Sequence, residues 1–131
     1  MLKEFREDES SVLLGTGAYW EGIDVRGKSL SNLVIFRLPF PVPDPIIEYK
    51  ASLAKNQLME VRVPEMIIKL KQGIGRLIRG FSDTGIISII DPRLRDKSAM
   101  PYHDITWASL PIHNRTTSIN ELREFYHALA E

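Results

Sequence analysis

Two short apolar runs constrain the fold of this chain more than any other feature. Asn32–Leu38 (NLVIFRL) and Gly85–Ile90 (GIISII) have the length and β-branched content of strands. The second run is continuously apolar, the pattern of a strand in a parallel sheet covered on both faces. The sequence between them reads as helical. Pro39, Pro41 and Pro43 halt the first run in a stiff extended segment. Asp44-Pro45 then supplies an N-cap followed by proline at the first helical position, opening a helix to about Leu58. Pro64 opens another, to about Arg79, with Ile67, Leu70, Ile74 and Leu77 on its apolar stripe. Strands alternating with helices predict an α/β fold, a mostly parallel sheet flanked by helices.

The flanking segments carry weaker signals. The acidic, polar opening Met1–Ser11 reads as the tail of a helix, Ser11–Thr16 (SVLLGT) as a buried strand, and Gly17–Ser29 as a loop. Asp91-Pro92-Arg93 reads as a turn and Ile105–Leu110 as a strand with partial alternation. Ser118-Ile119-Asn120-Glu121 is a capping box. It starts a helix with Ile119, Leu122, Phe125 and Leu129 on one stripe, most simply core packing, or the cover of another domain.

Composition narrows the class. At 131 residues with 44% apolar content, the chain can build one real core. Its 17 Lys+Arg against 17 Asp+Glu give no global basic field. With no Cys, it offers no disulfide, thiolate nucleophile or iron–sulfur ligand. No apolar run approaches the roughly 18 residues of a membrane span, and no signal-peptide pattern opens the chain. A cytoplasmic location and no membrane partner are expected. His103, His113 and His127 form no carboxylate-rich constellation, so no metal site is expected.

All eight glycines lie in two windows, Gly15–Gly27 and Gly73–Gly85, which marks two candidate sites. In the first, Gly22–Ser29 (GIDVRGKS) matches the phosphate-binding pattern G-x-x-x-x-G-K-[ST]. That pattern works only where a helix follows, because the helix N-terminus supplies the phosphate-binding amides. Here a β-type run follows, so Lys28 reads as a solvated turn lysine. Glu21 and Asp24 can accept hydrogen bonds from a ribose hydroxyl or an arginine opposite, and serve equally well as a solvated glutamate and a turn aspartate. Trp20 reads equally as a base platform or a buried anchor.

In the second window, Gln72, Arg76 and Arg79 recur at steps of four and three, on one helical face. Two arginines a turn apart can bind phosphate oxygens through forked hydrogen bonds, or can simply be solvated. Gly73 and Gly75 each cost a helix about 1 kcal/mol. That cost points to tightly packed backbone or a loosened helix end. Between Arg62 and Arg79 there are five basic residues and one acid, a local basic patch that the neutral total hides.

Taken together, the two windows resemble known motifs. Gly15–Gly27 (GTGAYWEGIDVRG) resembles motif V of the DinG/XPD branch of superfamily-two DNA helicases, and Gln72–Arg79 (QGIGRLIR) resembles motif VI. Leu38–Pro45 is similar to that family's linking segment. Asp83–Arg93 is similar to its strand after motif VI. The resemblance implies that residues 1–131 are a partial RecA-like domain of P-loop NTPase type, the C-terminal portion of the second such domain in a bacterial DinG-like helicase. It implies ATP-driven translocation on single-stranded DNA and unwinding of forked DNA, in repair or replication. ATP and Mg2+ would sit mainly on the first RecA-like domain of the same polypeptide, so this chain alone would be inactive. Arg76 and Arg79 would reach the γ-phosphate, Arg79 as the arginine finger. Gln72, Gly75, Glu21 and Asp24 would place or couple the nucleotide, and Gly15, Thr16 and Tyr19 would lie along the DNA strand. The other class open to these residues is a non-catalytic α/β domain that binds phosphate or an acidic partner.

Overall fold

The computed structural model describes residues 2–15, 25, 30–79, 83–112 and 114–130. Its centre is a β–helix–β unit. Strand β1 (Asn32–Ile35) pairs in parallel with β2 (Ile86–Ile89), with Asn32 opposite Ile86 and Ile35 opposite Ile89. Ladder bonds from Ile86 N–H to the Ser31 carbonyl and from Ile90 N–H to the Ile35 carbonyl, 3.0 and 2.9 Å, extend the pairing at both ends. The chain crosses between the strands through helices, as a parallel pair requires.

The first crossover helix, α2 (Pro45–Leu53), follows the short N-terminal α1 (Leu2–Glu7). It begins as its sequence specifies: the Asp44 carboxylate accepts hydrogen bonds from Ile46 N–H and Ile47 N–H. It ends earlier than expected, because Ala54 turns extended. A widened π turn (Leu58–Arg62) then runs without a break into α3 (Val63–Leu77). Proline has no amide to donate to the carbonyl four residues back. Just before Pro64 the pattern shifts by one, and Val63 N–H donates to the Leu58 carbonyl. Met66, Leu70, Gly73, Ile74 and Leu77 form the buried stripe of α3. Of these, Met66, Leu70 and Ile74 meet Ile35, Leu38, Val63, Leu94, Tyr102 and Leu110 in one core.

Several expectations fail, each for a physical reason. Within Ser11–Thr16, residues 11–15 are irregular, with Val12 83% and Leu14 80% exposed. An apolar run becomes a strand only beside a partner, and among the described residues β1 and β2 pair only with each other. Ile105–Leu110 is not a strand but lies largely in helix α4 (His103–Ser109). Tyr102, Thr106 and Leu110 are buried at four-residue spacing, a helical period that outweighs the partial alternation. Strand β1 stops at Ile35 instead of Leu38: the chain bends at Phe36-Arg37, and Leu38 turns into the core. Asp91-Pro92-Arg93 does turn, as the start of a single 3-10 turn (Pro92–Leu94) capped by Asp91.

Helix α5 (Ile119–Ala130) forms where the capping box predicts. The box closes only halfway. Ser118 Oγ accepts from Glu121 N–H, but the Glu121 carboxylate takes the Thr116 hydroxyl, and Ser118 N–H donates to Thr116 Oγ1 instead. Among the described residues the apolar stripe of α5 joins no core: Ile119 is 68%, Phe125 39% and Leu129 38% exposed, and Leu122 is half-buried.

Candidate nucleotide-facing site

The chemistry-bearing residues that fall on described positions gather at the C-terminal end of α3. Gln72 is exposed and Arg76 half-buried, four residues apart on one face of the helix. Arg79 is not on the helix, as the spacing predicts, because Ile78 is already extended (φ −108°, ψ 102°). Two bonds hold it there. The Asp83 carboxylate accepts from Arg79 N–H at 2.8 Å, and Arg79 Nε donates to the Arg76 carbonyl at 3.3 Å. The arginine thus folds back over the helix C-terminus, where unpaired carbonyls and the helix dipole favour a cation.

The glycines of this segment serve different ends. Gly73 is on the buried stripe. Gly75 is exposed, and a Cβ added to it would meet nothing within 4 Å. Nothing in the described chain therefore requires glycine there. Gly85 is the opposite case: a Cβ would lie 2.8–2.9 Å from Leu77 Cγ, Cδ1 and Cδ2, so any larger residue at the entry to β2 must displace the buried Leu77 side chain. The basic patch read over Arg62–Arg79 is not one continuous face. Arg62 pairs with Glu48 at 3.0 Å, and the patch's one acid, Glu65, pairs with Lys50 at 3.4 Å, pinning α3 to α2.

A second constellation, at the carboxyl ends of the strands, is read in the sequence only as a turn. Asp91, 3% exposed, accepts Leu38 N–H at 2.8 Å, joining the segment after β1 to the segment after β2. Its carboxylate also takes Arg93 N–H at 3.0 Å and the Arg93 guanidinium through Nε and an outer nitrogen at 2.6–3.1 Å. The bonds from Arg93 hold the Asp91 pKa down at about 2, helped by the Leu38 amide and opposed by burial. Arg93 in turn lies over the Phe40 ring at 5.0 Å, and Phe40 packs edge-on to Tyr102 at 5.4 Å. The sequence cue is an acid directly after an apolar strand with arginine two residues on, a spacing that permits a side chain to pair across a turn.

Of the other residues singled out, Gly15 is exposed in irregular chain. Thr16, Tyr19, Trp20, Glu21, Asp24, Lys28 and His113 lie outside the described residues. Strand β1 starts three residues after Ser29, so the phosphate-loop pattern lacks the helix it needs. His103 Nδ1 pairs with the exposed Asp104 carboxylate at 2.8 Å. Among the described residues no group of three or more His, Asp or Glu side chains is placed to hold a metal ion, and no helix is long and apolar enough to cross a membrane.

Comparison with known proteins decides the class. The profile of the helicase C-terminal domain matches residues 1–105. The chain belongs to that family. Its parallel pair with flanking helices is part of a RecA-like helicase domain. It is 38% identical to the ATP-dependent DNA helicase YoaA of Haemophilus influenzae over 95% of this chain and 20% of that protein. It is 37% identical to the 3'-5' exonuclease DinG of Bacillus subtilis over 95% of this chain and 13% of that protein. With the ATP-dependent helicase DinG of Mycobacterium tuberculosis it shares 34% over 99% of this chain and 20% of that protein. This helicase domain thus spans between 13 and 20% of the length of these relatives. It is a helicase C-terminal domain of the DinG/YoaA type, in agreement with the resemblance read from Gly15–Gly27 and Gln72–Arg79.

Proposed function

We propose that residues 1–131 form the C-terminal portion of the second RecA-like domain of an ATP-dependent DNA helicase, with motif V at 15–27 and motif VI at 72–79. The complete polypeptide then couples ATP hydrolysis to translocation along single-stranded DNA and to duplex unwinding, in repair or replication. One observation carries this reading. Arg76 and Arg79 meet at the end of α3, joined by the 3.3 Å bond from Arg79 Nε to the Arg76 carbonyl, next to the open space over Gly75.

That arrangement suits an arginine that acts across a cleft between two domains of one polypeptide. A guanidinium at the exposed end of a helix can exchange a carbonyl acceptor for phosphoryl oxygens of higher charge without leaving its backbone anchor at Asp83. Arg79 then stabilises charge developing on the transferred phosphoryl group, with Arg76 beside it. ATP with its magnesium supplies the phosphoryl group and the neutralising cation, and both are seated by the first RecA-like domain of the same polypeptide. Gln72 orients the arginines or the nucleotide, and Gly75 leaves room for the opposing domain to approach the helix backbone. Glu21 and Asp24 couple the nucleotide to the DNA side, where Gly15, Thr16 and Tyr19 meet phosphates and a base. The test is Arg79→Ala in the complete polypeptide. DNA-stimulated ATP turnover should collapse while the circular dichroism spectrum stays native. Unchanged turnover would overturn the assignment, and would leave the non-catalytic phosphate-binding domain as the better account.

A further inference from the structure

Away from the end of α3, the turn that follows β2 opens a shallow groove of about 410 Å3 lined by Pro92, Arg93, Arg95, Lys97, Ser98 and Met100. Its charge is unbalanced in one direction. Two acids lie in this stretch, and both are spent. Asp91 is buried against Arg93, and Asp96 pairs with Arg115. Arg95 and Lys97, both exposed, have no ion-pair or side-chain hydrogen-bond partner among the described residues. The groove therefore presents two uncompensated cations beside the already neutralised Arg93.

The loop that carries them is held on both sides. Leu94 is buried, and its carbonyl accepts Trp107 Nε1–H at 3.1 Å. Arg115 lies over the Trp107 ring at 4.2 Å and holds Asp96. Ser98 N–H bonds to the Arg95 carbonyl at 3.1 Å, closing a turn in which Lys97 takes a left-handed conformation (φ 63°). Ser98 Oγ accepts Met100 N–H at 3.3 Å, which leaves its own proton to donate. A residue other than glycine in that conformation persists only where its surroundings impose it. Here the turn fixes the backbone that carries Arg95 and Lys97 before any ligand arrives, which removes the backbone part of the ordering cost of binding.

We propose that this groove is a secondary binding site for single-stranded nucleic acid. Arg95, Lys97 and the Ser98 hydroxyl meet backbone phosphates, and the apolar Pro92 and Met100 side chains lie against base or sugar. A groove that pairs free cations with apolar wall fits an unpaired strand, whose bases are exposed, better than a duplex or a free phosphate. The site rests on the helicase reading above but uses none of the residues placed near the nucleotide.

The experiment is the salt dependence of single-stranded oligonucleotide binding by the complete polypeptide, wild type against Arg95→Gln/Lys97→Gln. A charge-matched control, Lys55→Gln/Arg123→Gln, removes two exposed cations elsewhere. Each phosphate contact on a single strand contributes about 0.7 to the slope of log affinity against log salt. The groove variant should lose about 1.4 of slope and bind about twentyfold more weakly at 0.1 M salt. Its ATP turnover at saturating DNA should stay at the wild-type value, and the control should bind as the wild type does. Equal slopes in wild type and groove variant, or equal losses in groove variant and control, would overturn the groove while leaving the helicase reading intact. A wild type that binds no single strand at all would overturn both.

Discussion

Replacing Asp91 by Asn tests how the two strand ends are held together. The carboxylate is 3% exposed and bonds to Leu38 N–H, Arg93 N–H and the Arg93 guanidinium. Its pKa falls from 3.8 to about 2 on folding, chiefly through the bonds from Arg93. A folded-state pKa below the unfolded value means the charged form is favoured in the native state. The resulting stability is fully present above about pH 4 and is lost as pH falls through about 2. At about 1.4 kcal/mol per unit, the shift is worth about 2 kcal/mol. Asn keeps one acceptor for the Leu38 amide but drops the charge and leaves Arg93 unmatched. The Arg93 side chain is 35% exposed and regains water, so the loss belongs at the lower end of the range for a broken buried pair. Asp91→Asn should therefore cost about 2–3 kcal/mol in urea unfolding at pH 7. Because only the wild type titrates at this position, the gap should narrow steadily from pH 4 to pH 2. A variant within about 0.5 kcal/mol of wild type at pH 7, or a gap that does not change with pH, would refute the role given to this pair.

Gly85→Ala should cost about 1–3 kcal/mol in the same assay, because the new methyl lies 2.8 Å from the buried Leu77 side chain; wild-type stability would show that α3 and β2 do not meet there. Gly75→Ala should do the reverse. It should add up to about 1 kcal/mol, since the Cβ meets nothing, while lowering ATP turnover in the complete polypeptide; full turnover would place the opposing domain elsewhere. The 131-residue chain on its own should hydrolyse no ATP, and magnesium-dependent phosphate release from pure chain would contradict the proposed seating of ATP on another domain.

How far the sequence could be read followed how local each determinant is. The Asp44 cap, the two strand segments and the stripe of α3 depend on near neighbours and on period, and each formed within the expected run, though β1 and α3 end early. Ser11–Thr16 and Ile105–Leu110 depend on what packs against them, and there the reading of residues 11–15 and of α4 failed. The site divided in the same way. Gln72 and Arg76 share a helical face by spacing alone. The early helix end at Leu77, the bond from Arg79 N–H to Asp83 and the fold-back of Arg79 are announced by no periodicity. The Asp91–Leu38 bond spans 53 residues and appears only once the strands are side by side.

The central claim is that Arg79 acts on the transferred phosphoryl group from the end of α3. It is tested most directly by the single-turnover rate of ATP cleavage in the complete polypeptide, at saturating ATP and single-stranded DNA. Arg79→Ala should lower that rate constant by about a thousandfold or more while nucleotide affinity changes far less. A rate within about tenfold of wild type, or a loss confined to ATP affinity, would contradict it.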